Sequence, residues 1–143
     1  MAVSERSIEI DVPPKKLYGV IADFEKYHEF VDGMHGAATL KASDTHPQVR
    51  FDIRIIKKIS YVLDFDLVPG KSVKWTLTEK GFFKKNDGSW TLEPLDKGKR
   101  TKATYRVDLE LASFLVPNAI LKQLNEINFP KMLGEFKKRA EGM

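Results

Sequence analysis

The stretch VRFDIRIIKKISYVLDFDL, residues 49–67, decides how the rest of the chain is read. Val49, Phe51, Ile53 and Ile55 alternate with Arg50, Asp52 and Arg54; Ile59, Tyr61, Leu63, Phe65 and Leu67 then alternate with Ser60, Asp64 and Asp66. Successive side chains of an extended chain point to opposite faces, so this two-residue period predicts two strands, each with an apolar and a charged face. Their connection is short, which makes them antiparallel neighbours with one dry side and one wet side.

Towards the C-terminus the same period continues. Pro69-Gly70 supplies a turn. Val73, Trp75 and Leu77 oppose Lys74, Thr76 and Thr78; Trp90 and Leu92 oppose Thr91 and Glu93; Tyr105, Val107, Leu109 and Leu111 oppose Thr104, Arg106, Asp108 and Glu110. Taken alone, Asn86-Asp87-Gly88 is the tightest turn signal in the chain and places a hairpin tip there. From Val116 onward the period becomes helical, with Ile120, Leu124, Ile127, Met132, Leu133 and Phe136 on one stripe. Pro130 lies inside that stripe, removes a backbone donor and is expected to bend the helix near Ile127.

Towards the N-terminus, Met34, Ala38 and Leu40 alternate weakly after the break at Asp32-Gly33. Tyr27, Phe30 and Val31 suggest a brief helix, preceded by another in which Leu17, Val20, Ile21 and Phe24 follow helical spacing after Pro13-Pro14. The first strand covers residues 3–12, with Ile8, Ile10 and Val12 opposite Ser7, Glu9 and Asp11. The expected architecture is α+β: a curved seven-stranded antiparallel sheet wrapped around a long C-terminal helix, with two short helices between strands 1 and 2.

A chain of 143 residues, 42% hydrophobic and 31% charged, suits one domain over residues 1–143, able to bury roughly two-thirds of its unfolded surface. The absence of cysteine excludes a disulfide framework, thiolate zinc sites, iron–sulfur clusters and a cysteine nucleophile. No signal-peptide core and no run of ~18 apolar residues is present, so a cytoplasmic protein without integral membrane association is expected. Lys and Arg outnumber Asp and Glu by only 24 to 20, and the lysines come in scattered pairs, a poor footprint for DNA.

Reactive groups do not converge. Arg50, Arg54, Asp64, Asp66, Arg106 and Glu110 fall on the wet face as cross-strand neighbours. His28, His35 and His46 lie in or beside loops and share no ligand spacing. No glycine-rich phosphate loop, nucleophile elbow or dinucleotide fingerprint occurs. No catalytic residue, metal ligand or cofactor is therefore assigned.

Several segments, taken in order, resemble a known family. They are Ile8-Glu9-Ile10-Asp11-Val12-Pro13 followed by residues 17–27, the run from Trp75 through Gly81-Phe82-Phe83 to Gly88-Ser89-Trp90, then Thr104-Tyr105, Pro117 and Phe136-Lys137-Lys138-Arg139-Ala140. Together, over residues 4–141, they resemble the START-like helix-grip domains. The resemblance is to the polyketide cyclase/dehydrase and coenzyme Q-binding branch, which also contains a bacterial ribosome-association toxin. The resemblance implies that the chain reverses near Lys80 to Phe83, with Gly88 inside a strand as a bulge or close approach. It also implies a cavity between sheet and long helix for an apolar or amphipathic small molecule.

The inward residues Phe51, Ile53, Tyr61, Leu63, Phe65, Trp75, Leu77, Trp90 and Tyr105, with Leu121, Leu124 and Phe136 from the helix, are the candidate lining; the same residues also describe an ordinary packed core. Tyr61, Tyr105, Trp75 and Trp90 each carry a polar group into a dry face, where it needs a partner: a ligand oxygen, a backbone carbonyl or a water. The leading expectation is a non-catalytic binder of a lipid, isoprenoid quinone or polyketide-like aromatic. An aromatase/cyclase or dehydratase using the same walls, and a domain contacting the ribosome or RNA, are the alternatives.

Overall fold

A computed structural model describes residues 2–54, 58–111 and 118–142. The chain runs β1 (Ala2–Ile10), α1 (Pro14–Ala22), a 3-10 helix (Phe24–Glu29), β2 (Met34–Lys41), β3 (Gln48–Arg54), β4 (Lys58–Val68), β5 (Ser72–Leu77), β6 (Phe83–Leu95), β7 (Arg100–Leu111), α2 (Asn118–Gln123), a π-helical segment (Leu124–Asn128) and α3 (Phe129–Glu141). All strands pair antiparallel in one sheet ordered β1-β7-β6-β5-β4-β3-β2. This is the expected α+β helix-grip architecture. Sequential hairpins build the sheet, while α1 and the 3-10 helix carry the chain from one edge, β1, to the other, β2.

The apolar faces meet in one core. From the sheet come Ile10, Val49, Phe51, Leu63, Phe65, Val73, Trp75, Trp90, Tyr105 and Val107; from the helices come Leu17, Ile21, Phe24, Leu133 and Phe136. Pro14 opens α1, where its missing N–H has no intrahelical partner to lose. Gly33 ends the crossover at φ +84°, and Gly70 makes the β4–β5 turn at φ +75°, both in the left-handed region that side chains avoid.

The hairpin-tip reading of Asn86-Asp87-Gly88 is overturned: all three lie in β6, and the chain reverses over residues 78–82. Gly88 pairs with both Trp75 and Val107, and a Cβ there would stand 2.5 Å from the Arg106 carbonyl oxygen and 2.5 Å from Trp75 Cζ2. Glycine is needed for close approach, not for turning. Beyond this pair β5 and β6 part, and the Asp87 carboxylate accepts the freed Leu77 N–H at 3.2 Å.

Three further expectations are corrected. In β2, a register shift between Met34 and Gly36 turns Ala37 rather than Ala38 onto the core, and Leu40 is 48% exposed. Asp108, assigned to the wet face of β7, is 7% exposed, its carboxylate paired with Lys85 at 2.8 Å. Ile127, assigned to the helical stripe, is 62% exposed, while Phe129 is buried. The π segment explains the exchange. Phe129 N–H bonds to the Leu124 carbonyl five residues back, just before Pro130, and the extra residue in that turn resets the helix phase. The buried face then reads Leu124, Phe129, Leu133, Phe136 and Ala140. Ile55, Val116 and Pro117 lie outside the described residues.

Polar ties fasten α3 across the fold. Lys131 reaches Asp32 at 2.6 Å, Arg139 reaches Glu29 at 2.6 Å, Lys137 donates to the Glu9 carbonyl at 2.8 Å, and Glu141 accepts the Asp11 N–H at 2.8 Å. Glu135 also accepts the Asp32 N–H at 3.2 Å.

Candidate functional site

The space between sheet and α3 is not filled. An inner chamber of about 100 Å³ adjoins an outer one of about 150 Å³. Phe51, Leu63, Phe65, Trp75, Trp90 and Phe136 line the inner chamber, and Ile53 and Leu124 line the outer one. Tyr61 and Tyr105 border both. Leu77 borders neither; it is half-buried beneath a surface depression with Ser60 and Phe82. The side chain of Leu121 lies outside the described residues.

Packing of the walls is aromatic. Phe136 meets the edges of Tyr27 and Trp90, each at 5.1 Å between ring centres, Trp90 meets Tyr105 at 5.1 Å, and Tyr105 meets Phe129 at 5.6 Å. Most of these contacts are edge-to-face, the arrangement that the ring quadrupoles favour. The outer chamber opens through a polar rim, Asp32, Arg54, Lys131 and Glu135, where the turn after the 3-10 helix faces α3. Asn128 and Phe129, beside Pro130, complete that mouth.

The polar groups inside are few. Tyr27 donates its hydroxyl to the Ile21 carbonyl. Trp75 Nε1 donates to Asn86 Oδ1 at 3.2 Å. Tyr61 and Tyr105 make no hydrogen bond to a described residue. Burial pushes the hydroxyls of Tyr27, Tyr61 and Tyr105 well above the ordinary phenol range, so all three are neutral donors at physiological pH. In contrast, the rim carboxylate of Asp32 is held below its usual range by the hydrogen bond from Lys131.

Sequence reasoning missed Tyr27, Val31, Met34, Phe129, Met132 and Asn86 at these chambers. Tyr27 and Val31 were visible as a helical cluster, but nothing local says that cluster reaches across to Phe51 and Phe136. Asn86 was obscured by its turn-like neighbours. Its signal was parity: stepping back by twos from Trp90 passes Gly88 and reaches Asn86 on the inward face.

Sheet, helix and hollow define a class, and comparison with known proteins agrees. The polyketide cyclase/dehydrase and lipid transport family model matches residues 10–137, and the chain belongs to that family. Among curated proteins it is similar to a ribosome association toxin of Vibrio cholerae, 28% identical over 138 residues that cover 95% of this chain and 93% of the toxin. Among solved structures it is similar to the Zhui aromatase/cyclase from Streptomyces sp. R1128, at TM-score 0.86 and 16% identity over 98% of this chain and 93% of that one. It is also similar to a START superfamily protein from Mycobacterium smegmatis, at TM-score 0.84 and 19% identity over 98% and 97% of the two chains. At these identities the solved structures speak for the fold alone.

Proposed function

We propose that this protein binds an apolar small molecule in the two chambers and stores, carries or presents it. The observation that supports the reading is an aromatic hollow with a polar mouth, into which a few hydrogen-bond donors project. Each CH₂ transferred from water to such walls contributes about 0.8 kcal/mol, and a few donors suffice to orient the guest. A dry cavity of roughly 150 Å³ holds a benzene-sized ring, so the outer chamber suits one ring and the smaller inner one a short chain segment. Native mass spectrometry of protein purified from its own host tests this: an apolar mass that leaves on solvent extraction is expected. Repeated recovery of empty protein, with no quenching of Trp75 and Trp90 by added apolar probes, counts against it.

An aromatase/cyclase reading would make Tyr61 or Tyr105 move protons. Their raised pKa values favour donating a hydrogen bond to a carbonyl over removing a proton at neutral pH, so binding is preferred to turnover. A ribosome-contacting reading is favoured by one observation, the similarity to the toxin over nearly the whole chain. Cosedimentation with ribosomes that weakens steeply with salt would support it; the mixed signs of Arg50, Arg54, Asp64 and Asp66 on the outer face argue for a weak effect.

A further inference from the structure

We infer that the sheet itself carries a second opening into the outer chamber, between β4 and β6, closed by the rings of Tyr61 and Phe83 and by the strap of residues 78–82. The inference rests on the ligand-binding reading above. β5 is too short to separate its neighbours along their whole length: its last partner in β4 is Leu63 and its last in β6 is Gly88. Beyond that point residues 58–61 of β4 pair with β3 alone, and residues 83–87 of β6 lie against β7 alone.

Side chains take over where the ladder lapses. Thr78 donates its N–H and its hydroxyl to the Val62 carbonyl, both at 3.1 Å, and the Asp87 carboxylate holds the Leu77 N–H. Past Thr78 no hydrogen bond joins the strap to β4 among the described residues; Gly81 donates to the Phe83 carbonyl at 3.0 Å. Tyr61 and Phe83 meet edge to face across the interval, 5.2 Å between ring centres, and Phe83 meets Phe82 at 5.3 Å. Outside, a depression of about 220 Å³ bounded by Arg50, Ser60, Lys80 and Phe82 ends on Tyr61 and Phe83. Inside, the same two rings wall the outer chamber. One layer of side chains thus separates the chamber from solvent.

The kind of contact decides how such a wall opens. A backbone ladder parts only by local unfolding, whereas a loop outside the ladder moves in nanoseconds to microseconds. No hydrogen bond to a described residue holds the Tyr61 hydroxyl, and open space surrounds Gly81. The strap can therefore lift and Phe83 turn aside without breaking a pairing between strands. The polar rim is different. It is crossed by the Lys131–Asp32 ion pair and by the bond from the Asp32 N–H to Glu135, so passage there strains the ties that hold α3. Guests exchange through the sheet while the rim stays tied.

The test uses the absence of cysteine to place a removable lock. Ser60→Cys and Lys80→Cys, both on the outer depression, are joined by a reducible bis-maleimide, and exchange of fluorobenzene is followed by fluorine NMR. The lock is expected to slow entry and exit equally, about tenfold, with the dissociation constant unchanged, and reduction to restore both rates. The same reagent across Glu93→Cys and Lys102→Cys, directly paired positions at the other end of β6 and β7, should leave exchange as it was. Phe83→Leu should speed exchange about fivefold, the rate equivalent of one edge-to-face ring contact; if that variant does not fold, the lock decides alone. Exchange untouched by the strap lock, or slowed as much by the Glu93–Lys102 lock, would overturn the inference while leaving the binding cavity in place. Failure of fluorobenzene to bind at all would remove both the inference and the function it rests on.

Discussion

At the scale of single residues, Gly88 and Phe136 have opposite relations to space. Gly88 has none to spare: a methyl group would meet backbone on one side and a rigid indole on the other. Gly88→Ala is therefore expected to lower stability by about 2 kcal/mol, read as a shift in the urea midpoint, and to perturb Trp75 fluorescence. A variant as stable as wild type would show that the β5–β6 approach is looser than described. Phe136 is 1% exposed and supports Tyr27, Phe30 and Trp90. Phe136→Ala should cost about 4 kcal/mol and enlarge the inner chamber, so that bulkier apolar probes gain affinity relative to small ones even as the fold weakens.

Elements carry information that single positions do not, and the C-terminal helix is the example. In a regular helix Phe129 would lie about 140° around the axis from Leu124; the extra residue of the π segment ahead of Pro130 brings the two onto one buried side and leaves Ile127 exposed. Ile127→Lys is accordingly expected to change stability by less than about 0.5 kcal/mol, whereas Phe129→Ala should cost about 3 kcal/mol. Chemical denaturation of the two variants checks the phase of the helix directly, and the opposite ranking would return it to an unbroken stripe. Because Phe129 also walls the outer chamber against Tyr105, its truncation should alter probe affinity as well.

For the whole molecule, the consequential feature is that α3 is fastened to the rest by carboxylates. Asp11, Glu29, Asp32 and Glu141 are all held below their ordinary pKa values. Hydrogen bonds from Arg100, Arg139 and Lys131 lead the causes for the first three, and the Asp11 N–H leads for Glu141. With the folded pKa lowered, the unfolded chain takes up protons first as pH falls. The stabilisation is thus complete above about pH 5 and is lost as pH drops through about 4 and below. Urea midpoints should be flat from pH 8 to 6 and fall steadily from pH 5 to 3, less steeply in high salt. Hydrogen exchange in the same acid range should report α3 opening before the sheet, since Glu29, Asp32 and Glu141 all tether that helix. Uniform opening of sheet and helix would contradict this order.

Residues 49–67 alone predicted two strands, and the change of period at either end placed the helices, because alternation and helical spacing are local consequences of backbone geometry. Even there the reading slipped wherever one extra residue resets the phase, at the bulge after Met34 and at the π segment before Pro130, since a register shift is decided by pairing partners far along the chain. The inward aromatics were legible by parity. Whether they closed on one another or stood apart was not, because that depends on how closely α3 approaches the curved sheet. The orientation of the Asn86 amide was equally hidden: only the fold brings the Trp75 indole within reach to turn it, and only the fold makes Gly88 a contact between strands.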